Sequence, residues 1–335
     1  MKTIKELIQS GIIAIGTKAK ENPNSVDIAR FSAGIANKDY AAQTPFLWNG
    51  AYDFFASDVR NIRLFSDPIH AQEIFNSFRN DPAYIGGDIG VGYKNNVLDL
   101  LDDIDPLAKT MGAVNVAVKT ENGLKGYNTD GYGFAKSLED IFRRRSESLK
   151  RKVVALFGAG GTANAIAFAL AERGVNLVIL NRTVSKAKDL SDRINLYFGN
   201  KMSEFSGRDD LSQKLDGVDA IVSIIDDPHS ELDKLSVLGS VTLPLTNENI
   251  ERNISEARDI LQKLPRTTVI SDVMLRGHDT MTIAQAKEMG FETLDGIPMV
   301  TNQAIEAFWL VNKGPLSLKE SDKEKIAKIM RERMA

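Results

Sequence analysis

Lys152–Phe157 reads KVVALF, and Gly158-Ala159-Gly160-Gly161-Thr162-Ala163 follows it directly. A continuous apolar run of this kind suits a strand buried on both faces, as in a parallel sheet covered by helices. The turn opens into a segment with few polar residues, Asn164–Arg173, and a second apolar run comes next at Asn176–Leu180. Strand, Gly-x-Gly-x-x-Ala turn, helix and strand within about 30 residues make a dinucleotide-binding unit. Glycine lets the backbone approach a pyrophosphate, and the helix N-terminus offers free N–H groups and the positive end of its dipole. Tight strand-to-helix turns also use glycine, so the turn alone decides little; the flanking strands lift it above that reading. Gly158, Gly160, Gly161, Thr162 and Ala163 are therefore the expected pyrophosphate-side residues.

The end of the second strand sets the choice of cofactor. An NAD site ordinarily has an acidic residue about 20 positions past the glycines, accepting from the ribose 2′-hydroxyl. Here Asn181-Arg182-Thr183 stand in its place, with Lys186 shortly after and no carboxylate. A guanidinium fork binds a 2′-phosphate bidentately, so NADP is the expected cofactor. The plainer alternative is an arginine that merely ends a strand at the surface.

Outward from this unit, the whole chain bounds the problem. Its 335 residues carry 42 Lys and Arg against 45 Asp and Glu, a net charge of −3. That balance argues against a dedicated nucleic-acid binder, and the length suggests two domains. There is no cysteine, which excludes disulfides, thiolate catalysis, iron–sulfur clusters and Cys-ligated zinc. With three histidines only, His70, His229 and His278, no metal site is expected. The N-terminal stretch is broken by Glu6, Gln9 and Ser10, unlike a signal peptide, and no membrane-spanning run follows. A cytoplasmic protein is expected, without membrane or nucleic-acid partners.

The first part of the chain alternates strand-like runs at Ile28–Ala36, Asn61–Ser66, Ile85–Val91 and Ala113–Lys119 with helical spacing at Pro45–Ala56 and His70–Arg79. Tyr132–Arg145 reads as a longer amphipathic helix ending in Arg143–Lys152, which carries six basic residues and one acid. A solvated helix end explains such a run better than a phosphate patch does. Further alternation follows at Asp219–Ile225, Asn247–Leu264, Thr268–Val273, Ile283–Met289 and Glu292–Asp295, and Met299–Lys313 is a helix expected to pack back on the first domain. Residues 1–130 thus read as one α/β domain, 131–150 as a linker helix, 151–298 as a Rossmann-type dinucleotide-binding domain, and 299–335 as C-terminal helices completing the first.

Three polar signals stand out in the first domain. Lys94 closes the stretch GDIGVGYK, Asn115 interrupts the apolar run GAVNVAV, and Asp130 ends Gly126-Tyr127-Asn128-Thr129-Asp130 just before a helix. Alone, these are ordinarily a surface lysine, a satisfied structural amide and a helix N-cap. Periodicity supports no more than that.

Several motifs in order say more. Asp105-Pro106-Leu107-Ala108-Lys109 leads into Met111-Gly112-Ala113-Val114-Asn115, then Gly126–Gly131, Gly158–Gly161, Asn181-Arg182-Thr183, and Gly296-Ile297-Pro298-Met299-Val300 with Gln303. From about Phe31 to Leu316 the chain resembles the shikimate dehydrogenase family. The resemblance implies two α/β domains flanking a cleft, the first binding a cyclic polyol and the C-terminal one holding NADP, with a place in aromatic amino acid biosynthesis. Carried over by position, Lys94 and Asp130 would be the catalytic pair, Asn115 and Gln303 would hydrogen-bond ring hydroxyls, and Met299 would line the nicotinamide pocket. A lysine held by a carboxylate suits the exchange of a hydroxyl proton during hydride transfer.

The departures fall at substrate and cofactor positions, those for the substrate carboxylate foremost. The family's Ser-x-Ser-Pro segment corresponds to Ala42-Gln43-Thr44-Pro45, so Thr44 alone keeps a hydroxyl. Gly90 and Gly92 stand where Thr and Pro are usual, Leu275 stands at a tyrosine position, and Ser223-Ile224-Ile225 replaces Asn-Ala-Thr before a longer connection. Two lost hydrogen bonds to a charged group, at about 1.5–3 kcal/mol each, weaken carboxylate binding severely unless another donor such as Arg276 compensates. A cyclitol, an aminocyclitol or another cyclohexane derivative thus competes with shikimate or quinate as substrate. A reading of another class, a cofactor-binding sensor without catalysis, is opposed by the presence of both Lys94 and Asp130. The segment before Phe31 is either an arm that pairs two copies into a homodimer or an extra helix.

Overall fold

A computed structural model describes residues 2–209, 211–225, 234–275 and 277–334. Arg276 and the connection 226–233, with His229, lie outside the described residues. The chain divides into two compact units, Met1–Gly133 with Thr301–Ala335 (unit 1) and Phe134–Val300 (unit 2).

Unit 2 contains strands β8 (Val153–Phe157), β9 (Asn176–Leu180), β10 (Ser203–Ser206), β11 (Ala220–Ser223), β12 (Val269–Asp272) and β13 (Thr293–Leu294). All pair in parallel, in the order β10-β9-β8-β11-β12-β13. Counted along the chain this is the 3-2-1-4-5-6 order of the doubly wound Rossmann sheet, whose order reverses between β8 and β11. Its helices are α6 (Gly161–Glu172), α7 (Val184–Phe198), α8 (Leu211–Lys214), α9 (Asn247–Lys263) and α10 (Met281–Glu288). Val154, Ala155, Leu156 and Phe157 are all buried, as their unbroken apolar run requires. In α7, Ala187, Leu190 and Ile194 repeat at helical spacing and face the core.

Unit 1 contains β1 (Ala14–Ile15), β2 (Phe31–Ala36), β3 (Arg60–Phe65), β4 (Gly86–Asp88), β5 (Asp103–Ile104), β6 (Val116–Thr120) and β7 (Gly123–Tyr127). They form two ladders, β1-β3-β2 and β4-β6-β7-β5. Parallel bridges from Phe31 to Tyr84 and from Ile35 to Ile89 join β2 to the β4 segment, so the ladders lie edge to edge. The ladder at β4 is shorter than the strand expected over Ile85–Val91. Gly90 nonetheless donates to Ile35 and Ile89 to Asn115, so the chain stays extended up to the turn that follows. Helices α1 (Ile4–Gln9), α2 (Thr44–Phe54), α3 (Ala71–Asn80) and α4 (Pro106–Met111) belong to this unit.

The segment before Phe31 is packed into unit 1. Thr3 and Glu6 form a capping box on α1, whose Ile4 and Leu7 are fully buried, and β1 pairs antiparallel with β3. Three further helices are α5 (Asp130–Arg144), α11 (Gly296–Asn312) and α12 (Glu320–Met334). α5 is more than a connection: the chain passes from unit 1 to unit 2 within it, and it is a packed element. From Phe134 onward it belongs to unit 2, with Phe134, Leu138, Ile141 and Phe142 buried. The basic run after it is likewise structural. Arg144 and Arg145 both reach Glu292, at 2.9 and 2.5 Å, and Lys152 bridges Glu147 and Asp219.

Within unit 1, α11 and α12 pack on α2. Trp48 donates from its ring N–H to the Ala304 carbonyl at 3.2 Å and meets Phe308 edge-on at 5.4 Å. Tyr52 donates to Asn312 at 2.9 Å, and Ile326 and Met330 complete the cluster. No helix among the described residues is long and apolar enough to cross a membrane. Phe308 is fully buried between Trp48 and Tyr52, so Phe308→Ala is expected to destabilise unit 1 by about 3–5 kcal/mol. The chain's two tryptophans, Trp48 and Trp309, both lie in unit 1. Tryptophan fluorescence during urea unfolding therefore reads that unit alone, and a midpoint unchanged by the substitution would contradict this packing.

Candidate active site

The polar residues of unit 1 converge on one carboxylate. Lys94 donates from Nζ to Asp130 Oδ2 at 2.6 Å. Asn115 Nδ2 lies 2.9 Å from Asp130 Oδ1, 3.0 Å from the Thr129 hydroxyl and 3.2 Å from Gln303 Oε1. Asn115 Oδ1 in turn accepts from the Thr129 N–H at 2.7 Å. The Lys94 side chain is 36% exposed and that of Asp130 only 10%, so the lysine faces a ligand-accessible surface while the carboxylate lies behind it.

Local sequence dictates this convergence. Gly92 takes φ +87°, turning the chain after β4. The Lys94 carbonyl then accepts from the Val114 N–H at 3.0 Å, which pins the lysine beside Asn115. Asp105 caps α4 through the N–H groups of Leu107 and Ala108, and Gly112 ends it in the left-handed region at φ +71°. That short helix delivers Asn115 between neighbouring strands, where its backbone bonds both Tyr127 and Ile89. Asn128 Oδ1 accepts from the Asp130 N–H at 3.1 Å, starting α5. A carboxylate at a helix N-terminus is also favoured by the dipole.

The electrostatics give the lysine its protonation state. Burial alone would lower the Lys94 pKa, but the Asp130 charge and hydrogen bond outweigh it and hold the value above that of an ordinary lysine. Lys94 is an ammonium at neutral pH.

Not every expected residue joins the network. Both ends of the Asn115 amide are engaged in holding Thr129 and Asp130, so its geometry is that of a positioning group. Gln303, half-buried on α11, uses its carbonyl on Asn115 and not its amide N–H groups. Thr44 is half-buried in the first turn of α2 and makes no hydrogen bond to this network among the described residues. Ala42 is buried, and Leu275, in unit 2, is 51% exposed. The preceding Asp272 accepts from Thr280 at 2.9 Å and from the Met274 N–H at 3.1 Å, acting as a turn cap. Met299 is buried in the first turn of α11, one helical turn before Gln303.

In unit 2 the glycine turn lies where the sheet order reverses. Gly158 has φ +128°, and a Cβ there would come within 2.9 Å of the Ile224 carbonyl, so only glycine fits. Gly160, the N-cap of α6, makes no side-chain cap, and both Gly160 and Gly161 face open space. The first-turn N–H groups of α6, including those of Thr162 and Ala163, are thus left for an anion. Asn181 donates to the Thr183 carbonyl at 2.9 Å, while Arg182, Thr183 and Lys186 are exposed. Asn181 and Arg182 line a cavity of about 1040 Å³ with Arg208 and Lys263 on one hand and Asp209, Glu256 and Asp259 on the other. Sequence reading missed Arg208, whose guanidinium donates to the Val237 and Gly239 carbonyls at 2.5 and 2.8 Å. Its signal was faint, a lone arginine after the short polar strand β10. The open glycine turn and the exposed Arg182 and Lys186 are the groups that suit a dinucleotide carrying an extra phosphate.

Fold and site together define a class: a two-unit α/β protein with a Rossmann-type nucleotide unit and a lysine–carboxylate pair in its other unit. Residues 140–271 match the family model described as shikimate / quinate 5-dehydrogenase. The shikimate dehydrogenase (NADP(+)) of Bacillus cereus (strain AH187) is 32% identical over 224 residues, 67% of this chain and 71% of that protein. The chain belongs to the shikimate dehydrogenase family. Among solved structures, a shikimate dehydrogenase in complex with NADP+ has TM-score 0.70 at 23% identity, covering 96% of this chain and 99% of that one. The 5-ketofructose reductase of Gluconobacter sp. strain CHM43 has TM-score 0.67 at 23% identity, covering 91% and 98%. At those identities the likeness is one of fold.

Proposed function

We propose that the chain is an NADP-dependent oxidoreductase of the shikimate dehydrogenase type, transferring a hydride between NADP(H) and a ring hydroxyl or ketone of a shikimate-like cyclic polyol. The observation that carries this reading is the 2.6 Å pair of a part-exposed Lys94 and a buried Asp130. Gly158, Gly160, Gly161, Thr162 and Ala163 would hold the pyrophosphate. Asn181, Arg182, Thr183 and Lys186 would hold the 2′-phosphate, and Met299 would line the nicotinamide. When bound, the nicotinamide supplies or takes up the hydride.

The remaining chemistry belongs to the chain. In ketone reduction the Lys94 ammonium donates its proton to the oxygen that becomes the alcohol. In oxidation only the neutral amine accepts the hydroxyl proton. Asp130 orients the amine, Asn115 ties Asp130 to Thr129, the amide of Gln303 is left to bind a ring oxygen, and the hydroxyl of Thr44 is left for the substrate. A second reading of the substrate is favoured by Ala42 and Leu275, which offer no hydroxyl where the family resemblance implies that a carboxylate is held. It retains the ring polyol, as a cyclitol, an aminocyclitol or another cyclohexane derivative. The shikimate version carries with it a place in aromatic amino acid biosynthesis.

NADP+ reduction against shikimate, quinate and a panel of cyclitols separates the two substrates. Lys94→Ala is expected to cut turnover of the accepted substrate by about a thousandfold while NADPH binding, followed by fluorescence, stays intact; turnover at the wild-type rate would sink the assigned role. Because the Lys94 pKa lies above the ordinary lysine value, ketone reduction should hold steady through neutral pH and fall only as pH passes that raised pKa. Alcohol oxidation should climb over the same alkaline range, and an oxidation limb that levels off near pH 7 speaks for a different base. Arg182→Ala should weaken NADPH binding about tenfold or more and leave NADH within about twofold, since a charge-assisted hydrogen bond contributes roughly 1.5–3 kcal/mol. Equal losses for the two nucleotides would overturn the role given to Arg182.

A further inference from the structure

We propose that Tyr40 is a substrate-contacting residue of this site, held in position by the Arg63–Asp88 ion pair, whose arginine is buried and whose aspartate is half-buried. The inference rests on the reading of Lys94 and Asp130 given above and extends it to a group that neither the motifs nor the comparisons assign.

Arg63 stands in the middle of β3 between Ile62 and Leu64, and only 1% of its side chain is exposed. Its Nη1 donates to Asp88 Oδ2, on β4, at 2.5 Å. Its Nη2 donates to the Tyr40 hydroxyl, and the guanidinium lies 4.6 Å from the Tyr40 ring centre. Two glycines make the room. A Cβ at Gly34, on β2, would come within 2.7 Å of Arg63 Nη1. A Cβ at Gly90 would press on Arg63 Nη2 and lie 3.0 Å from the Tyr40 hydroxyl.

Stability does not account for this arrangement. A buried ion pair ordinarily contributes no more than a well-packed apolar cluster of the same volume, because desolvation of both charges offsets their attraction. Arg63 Nε and Asp88 Oδ1 are moreover buried without a hydrogen-bond partner. What the pair does achieve is to place one phenol. Tyr40 is half-buried just ahead of α2, and it accepts from Arg63, so its own O–H is left to donate. Burial raises its pKa and keeps that proton in place at neutral pH, while the charges of Lys94 and Asp130 are near enough to act on it. Gly90, against which the hydroxyl sits, is on the same turn as Lys94. The phenol O–H is thus a fixed donor beside the proton-exchanging pair, suited to an oxygen of the substrate ring.

Arg63 acts through Tyr40 and is a positioning residue. Tyr40→Phe removes the hydroxyl and keeps the ring over the guanidinium. It is expected to raise KM for the accepted ring substrate about fivefold or more, with kcat within about threefold and NADPH affinity unchanged. Arg63→Lys leaves a cation for Asp88 but cannot also hold the phenol through a planar fork. It should raise KM in the otherwise wild-type chain and add little in the Y40F background. Tryptophan fluorescence during heating, which reads unit 1, checks that both variants fold. A KM within about twofold of wild type in folded Y40F overturns the proposal, as do Y40F and R63K effects that simply multiply. A wild-type chain inactive on every ring substrate instead overturns the reading beneath it, and this inference with it.

Discussion

A carboxylate withdrawn from water must find donors, and Asp130 finds two: the Lys94 ammonium on one oxygen and the Asn115 amide on the other. Leaving either oxygen bare would cost several kcal/mol, and that cost constrains unit 1 widely. The turn at Gly92 has to bring Lys94 back toward the sheet. The caps on α4 have to end that helix where Asn115 can enter between strands. The Asn128 side chain has to start α5 so that Asp130 points inward. Gln303, 188 residues from Asn115, closes the network from α11.

Unit 2 answers to a different constraint. A parallel sheet with helices on both faces leaves its usable polar groups at the carboxyl ends of the strands, where the order reverses. Gly158 sits against the Ile224 carbonyl there because no side chain fits, and Gly160 leaves the start of α6 uncovered. The same reversal places the end of β9, with Asn181 and Arg182, on the cavity that Arg208 also lines. Glycine acts here by the absence of a side chain and arginine by its reach.

How legible these features were depends on their range along the chain. β9 and the body of β8 coincide with the apolar runs that announced them, because both strands are buried on both faces and need no partner to show their character. The edge strand β10, SEFS, and the glycine-containing β7, GLKGY, carry no such run and gain their form only from a neighbour. Lys94, Asn115 and Asp130 were found through ordered motifs rather than periodicity, and Asn115 proved to spend its amide on Asp130. Arg63 and Asp88 carried no such signal: neither RNIRLF nor GGD is an apolar run, and the two charges meet only across Gly34, on the strand between them.

The amino-acid sequence alone therefore determined the strand–glycine turn–helix–strand unit, the basic end of its second strand and the absence of thiol chemistry, since each rests on residues adjacent in the chain or on composition. The tertiary structure decided the rest: that α5 is packed along its length, that α11 and α12 lie on α2, that Asp130 is shared by Lys94 and Asn115, and that Arg63 holds Tyr40 through space opened by Gly34 and Gly90. Each joins groups far apart in sequence, and such contacts leave no period behind them. They are set by which buried charges and amides must be satisfied once the sheets have formed.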